Sequence, residues 1–184
     1  MQSVKFSLQW TIATFGGFIL SLLLIEVGEK PDIGVVQGAL GGLIVALAQA
    51  FVLRERIQNP WLWVFSSFTA SVLMITVGIG AVGWIVFTTQ VLALRVIYGA
   101  ILGAIAGFGM GLAHCLAIRE HTPLGCQWIL VSSVSWALGV AIGSAVGFFL
   151  HQFTQLFLGE VMGLAVTWLV VSILTGVNAY RILK

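Results

Sequence analysis

Residues 38–55 read GALGGLIVALAQAFVLRE, and residues 103–120 read GAIAGFGMGLAHCLAIRE. The two stretches align without a gap at an offset of 65, and each ends in an Arg-Glu pair. Neither carries a charge before that pair, so each supplies most of the about 20 apolar residues that a membrane-crossing helix needs. The same offset takes Trp63 to Trp128 and Thr89-Gln90 to Thr154-Gln155. Several matches at one offset mark an internal repeat. A weaker echo follows: Gln9-Trp10 resembles Gln127-Trp128, and Gly159 and Gly163 open the last apolar run. These matches predict an all-α, polytopic membrane helix bundle. Six transmembrane helices would form three tandem hairpins, over about residues 8–56, 60–121 and 126–184, in a single transmembrane domain spanning residues 1–184.

Composition points the same way. Of 184 residues, 60% are hydrophobic and 8% charged, against roughly one quarter charged in soluble domains. Six spans use about 120 residues, which leaves short connections and no separate catalytic domain. A net charge of +2 is too small and too dispersed for a nucleic-acid surface. The two cysteines, Cys115 and Cys126, have neither CxxC nor zinc-ligand spacing, and no disulfide framework follows from them. The start, MQSVKFSLQW, leads into an apolar run with no small-residue cleavage site, and reads as an uncleaved first helix.

Charges and breakers set the expected boundaries: Leu8 to Val27, Ile33 to Leu53, Pro60 to Val82, the residues after Arg95 to Arg119, Gln127 to Phe149, and Gly159 to Arg181. Between Ile57 and Leu94 lie 38 uncharged positions, more than one helix needs. Residues 83–94 are expected to lie at the interface or fold partly back, where the backbone must be helical or buried in protein. With both termini on one side, that side holds Lys5, Arg54, Arg56, Arg119, Arg181 and Lys184. The other holds Lys30 and Arg95 beside Glu26, Glu29, Asp32 and Glu160. This imbalance predicts cytoplasmic termini, with Trp10, Trp61, Trp63 and Trp128 at the cytoplasmic boundary.

Glycine spacing is the strongest local pattern. Gly99, Gly103, Gly107 and Gly111 recur every fourth residue, as do Gly139, Gly143 and Gly147, and Gly38 and Gly42. Such rows allow close backbone approach, within the bundle, against a partner subunit or copy, or against a flat cofactor. Ser66, Ser67, Thr69 and Ser71 have counterparts in Ser132, Ser133 and Ser135, and are read as hydroxyls returning hydrogen bonds to their own helices. Gln49 and His114 are repeat-equivalent, each five residues before the terminal arginine, about 7–8 Å inside the helix end. With Gln37 they form a candidate polar pocket. His114 and His151 are the candidate cofactor ligands, for chlorophyll or a quinone. His121 is read as solvated, and three scattered histidines make no metal site. Glu26, Arg95 and Glu160 are expected to snorkel or pair at the outer interface. No charge is expected near mid-membrane, which disfavours an ion-coupled pump. No HExxH, GxSxG or P-loop points to an enzyme.

Gln127-Trp128, Gly38-Ala39 with Gly42, and Leu53-Arg54 give the chain a style that resembles a loose group of bacterial, particularly cyanobacterial, multi-pass membrane proteins. That resemblance implies a bacterial inner or thylakoid membrane and no particular activity. In size and helix count the chain is also similar to substrate-binding subunits of energy-coupling-factor vitamin transporters, although helix 1 lacks an alanine-rich coupling face. The leading expectation is a non-enzymatic membrane subunit or scaffold. It would pack against lipids and partner helices in a larger photosynthetic or respiratory complex, or self-associate. The alternative is a small-solute binder, channel or transporter component with a cavity lined by Gln37, Gln49, His114 and the serines. A third is a pigment- or quinone-binding element.

Overall fold

The computed structural model describes residues 2–25, 27, 33–79, 81–87, 89–118 and 126–183. Glu26, Glu29, Lys30, Asp32, Arg119, Glu120, His121 and Lys184, which entered the charge and loop arguments, lie outside the described residues. The chain is all-α, with α1 (Gln2–Ser21), α2 (Val35–Leu53), α3 (Pro60–Thr76), α4 (Leu92–Ile118), α5 (Gln127–Thr154) and α6 (Leu158–Ile182). Four of these, α2, α4, α5 and α6, are long and apolar enough to cross a membrane, while α3 is a shorter apolar helix. The chain is a membrane protein.

Several boundaries differ from the sequence expectation, for local reasons. α1 starts at Gln2 and stops at Ser21, where the Ser21 hydroxyl donates to Phe18 O at 2.6 Å and residues 22–24 tighten into turns. α3 stops six residues short of Val82. Gly78 adopts φ +81°, Ile79 N donates to Met74 O, and Gly78 N donates to Ile75 O. Together these bonds form a Schellman cap, in which a left-handed glycine satisfies the last carbonyls. α4 begins at Leu92 and so takes in Arg95. α5 continues past Phe149 until Gln155, at φ 55°, turns the chain into α6.

The helices form a ring in chain order. Each packs on the next, and α6 closes on α1; among the described residues the backbones of helices across the ring do not approach closely, and only side chains meet there. The α4–α5 seam is made by glycines. A Cβ on Gly103 would sit 2.5 Å from Trp136 O, and one on Gly107 would sit 2.5 Å from Ser132 O, so only the missing side chains permit this spacing. Ser133 Oγ adds a hydrogen bond to Ala104 O. On the opposite face of α4, Ile97, Ile101, Ile105, Phe108, Leu112 and Leu116 are exposed. One helix thus divides into a smooth inner row and an apolar outer stripe suited to lipid.

The middle of the stretch between α3 and α4 does not lie on the outside. Ala81, Val82, Trp84 and Val86 are buried within the ring, and the described residues between α3 and α4 are non-helical. Non-helical backbone at membrane depth is tolerated where protein encloses it. Two indoles fix it there: Trp84 Nε1 donates to Ser21 Oγ at 2.8 Å, and Trp168 Nε1 donates to Gly83 O at 2.6 Å.

Candidate functional site, a chamber between two tryptophan layers

Trp10, Trp63 and Trp128 do not face outward; they are 0–2% exposed and meet inside the ring. Their ring centroids lie 5.6–6.0 Å apart, tilted edge to face, the arrangement aromatic quadrupoles favour. Only Trp61 of the four expected boundary tryptophans is exposed. The burial has a simple cause: each buried indole N–H finds an acceptor on the preceding helix of the ring. Trp63 Nε1 donates to Gln49 Oε1 at 3.0 Å, Trp128 Nε1 to His114 Nδ1 at 3.2 Å, and Trp10 Nε1 to Thr175 Oγ1 at 3.0 Å. The first two bonds span the same sequence distance, 14 residues. The third joins the first helix to the last and closes the circuit.

The acceptors then reach onward. Gln49 Nε2 donates to Thr14 Oγ1 at 3.1 Å. His114 Nε2 is 2.7 Å from Ser67 Oγ. An indole N–H can only donate, so His114 Nδ1 accepts and the ring proton sits on Nε2. Ser67 accepts that proton and donates its own to Trp63 O at 2.8 Å. Trp63 also stacks on the imidazole, 3.7 Å between centroids and 8° from parallel. His114 is thereby held as a neutral ring with both nitrogens engaged.

Above this layer is a cavity of about 90 Å³. Its polar walls are Thr14, Gln49, Ser67, Ser71, His114, Ser132 and Thr175. The buried segment roofs it through Ala81, Val82, Gly83 and Trp84, together with Trp136 and Trp168. Trp168 lies 5.3 Å from Trp84 and 5.0 Å from Trp136, so a second tryptophan layer faces the first. At about 10–15 Å³ per water, the space suits several waters or one molecule of a few non-hydrogen atoms. No charged side chain lines it.

Beyond the roof sits a buried ion pair. Arg95 and Glu160, 2% and 6% exposed, are joined directly through Nη2 and Oε2. Their positions differ by 65, the repeat offset. They pair, as one of the two expectations had it, but buried among the helices rather than snorkelling outward; the Arg95 guanidinium also lies 5.8 Å from the Phe148 ring. Its Nε is buried without a partner. The adjoining cavity of about 20 Å³, lined also by Ser144 and Thr167, shares Val82 with the main chamber.

The remaining candidates fall elsewhere. Gln37 is exposed and caps α2, its Oε1 accepting from Gly34 N at 3.0 Å. His151 lies in the last turn of α5, its Nδ1 3.1 Å from Leu156 O. Gly38 and Gly42 face Ile75 and Ser71 on α3; Gly99, Gly103, Gly107 and Gly111 face α5; Gly139, Gly143 and Gly147 face α6. Among the described residues no three His, Cys, Asp or Glu side chains gather as a metal site. Sequence reasoning passed over Thr14 and Thr175. Thr14 was signalled: a hydroxyl follows tryptophan by four residues at Trp10/Thr14, Trp63/Ser67 and Trp128/Ser132. No family model, curated protein or solved structure matches the chain.

Proposed function

We propose that the chain crosses the membrane six times, as three tandem hairpins with cytoplasmic termini, and that its central chamber binds a small, uncharged, hydrogen-bonding solute as part of a channel or transporter. The observation that carries this reading is the chamber itself. Seven polar side chains converge on one space, and none is charged. Neutral donors and acceptors replace the hydration of a neutral solute, whereas an ion there would lose water without a countercharge. The repeat architecture is supported by the ring order and by the indole bonds that recur from hairpin to hairpin. A bacterial inner or thylakoid membrane remains the setting implied by resemblance.

The scaffold role drew its motivation from glycine rows, and those rows are filled by the chain's own helices. They lend no support to a partner seam. Nor does the pigment or quinone role gain support, since both His114 nitrogens are engaged and a cavity of 90 Å³ is too small for a tetrapyrrole.

Urea and glycerol are suitable probes. Proteoliposomes containing the protein should equilibrate at least one of them faster than protein-free vesicles. Filling the chamber by Ala106→Phe should remove the difference while circular dichroism still reports a helical fold. Equal rates with and without protein, together with unchanged tryptophan fluorescence at saturating probe, would refute the reading.

A further inference from the structure

The spacing of Cys115 and Cys126 gave no disulfide framework, yet the fold brings their sulfurs to 3.6 Å. Cys115 is buried near the end of α4, and Cys126, just before α5, is exposed. One thiol is therefore open to a reagent and the other sits directly behind it. A disulfide has an S–S length of about 2.05 Å, so the sulfurs need close by only about 1.5 Å. Cys126 precedes the first residue of α5, where a side chain can turn without disturbing a helix.

We infer that Cys115 and Cys126 form a redox-active dithiol, oxidised by small disulfides of the glutathione class. The Cys126 thiolate attacks one sulfur of oxidised glutathione, whose S–S bond breaks and releases one glutathione thiolate. The mixed disulfide on Cys126 is then attacked by Cys115, which gives up its proton and displaces the second glutathione. In total, two protein thiols and one oxidised glutathione become one intramolecular disulfide and two reduced glutathiones. Cys115 adjoins His114 and Cys126 lies two residues before Trp128, so the new bond staples the same helix ends that the indole–imidazole hydrogen bond joins. The inference stands on the sulfur geometry alone and does not depend on what the chamber binds.

The full chain in mild detergent is equilibrated with glutathione buffers of increasing oxidised fraction, alkylated and cut with trypsin. Cleavage after Arg119 puts the two cysteines on separate peptides. The expected result is a linked pair, two hydrogens lighter than the separate thiol peptides. It should form at an oxidised-glutathione level at least about tenfold below that needed by the same chain in SDS, because the fold holds the thiols together. Cys115→Ser and Cys126→Ser should each abolish it, with circular dichroism confirming that both variants fold. Accumulation of only a glutathione adduct on Cys126, of chain-to-chain dimers, or of the linked pair at the same level as in SDS would overturn the inference.

Discussion

From Pro60 the chain runs 17 residues as helix before it breaks, whereas from Gln127 it runs 28. Both helices open near a tryptophan that donates back to the preceding helix, and both carry serines facing the chamber. They part where their glycines differ in spacing. α5 places Gly139, Gly143 and Gly147 on one face, where each receives a neighbour from α6. Residues 78–83 of the other hairpin read GIGAVG, three glycines within six positions. At about 1 kcal/mol of lost helix propensity each relative to alanine, such a cluster favours a break, and the Gly78 cap makes it. The same residue type thus holds one helix against its partner and ends the other. What decides is whether the missing side chains line up with the helical period.

The largest effect should come from the charge pair that anchors the helices after the two regions. Glu160→Gln leaves Arg95 buried without a countercharge and should destabilise the protein by about 3–5 kcal/mol, read from unfolding in an SDS titration. Replacing both residues with Met should recover most of that loss; if it does not, the pair has a role beyond neutralising itself. Gly143→Ala comes next, at about 1–3 kcal/mol. The new Cβ would collide with Thr167 Oγ1 and the backbone oxygen of Gly163, and the backbone oxygen cannot retreat without moving α6. Gly78→Ala is the mildest, at about 1–2 kcal/mol. Nothing lies within 4 Å of its Cβ position, so the cost is left-handed backbone strain alone. Should Gly78→Ala cost nothing in the same titration, the left-handed turn would not be what ends α3.

The helical architecture was legible because lipid forces a simple pattern: long apolar runs bounded by charge. The excess of uncharged length after α3 was legible too, but the burial of Ala81, Val82, Trp84 and Val86 was not. The exact stop was not, because a Schellman cap depends on which of three nearby glycines takes the left-handed turn. The burial of the tryptophans was hidden for a different reason. Composition ranks them as interfacial, but Trp10, Trp63 and Trp128 each meet a polar side chain that satisfies the indole, and a satisfied indole is as comfortable inside as at a boundary. Gln49 and His114 could be paired from the repeat, whereas Thr175 could not. It sits one helical turn before the repeat-equivalent position, Ala179. Arg95 and Glu160 were visible as charges, but their burial follows from where α4 begins, which the uncharged run before them concealed.

Closure of the ring by its two ends has a consequence for how the protein is made. The Trp10 indole waits for an acceptor 165 residues later, and Ser7 and Thr11 likewise turn to carbonyls of Gly176 and Ser172. During synthesis the first helix therefore carries donors that no neighbour answers until the last helix arrives. The chamber has no complete wall before then. α6 is the keystone of the assembly, and a chain shortened by that helix would leave an open arc whose polar inner face is turned toward lipid.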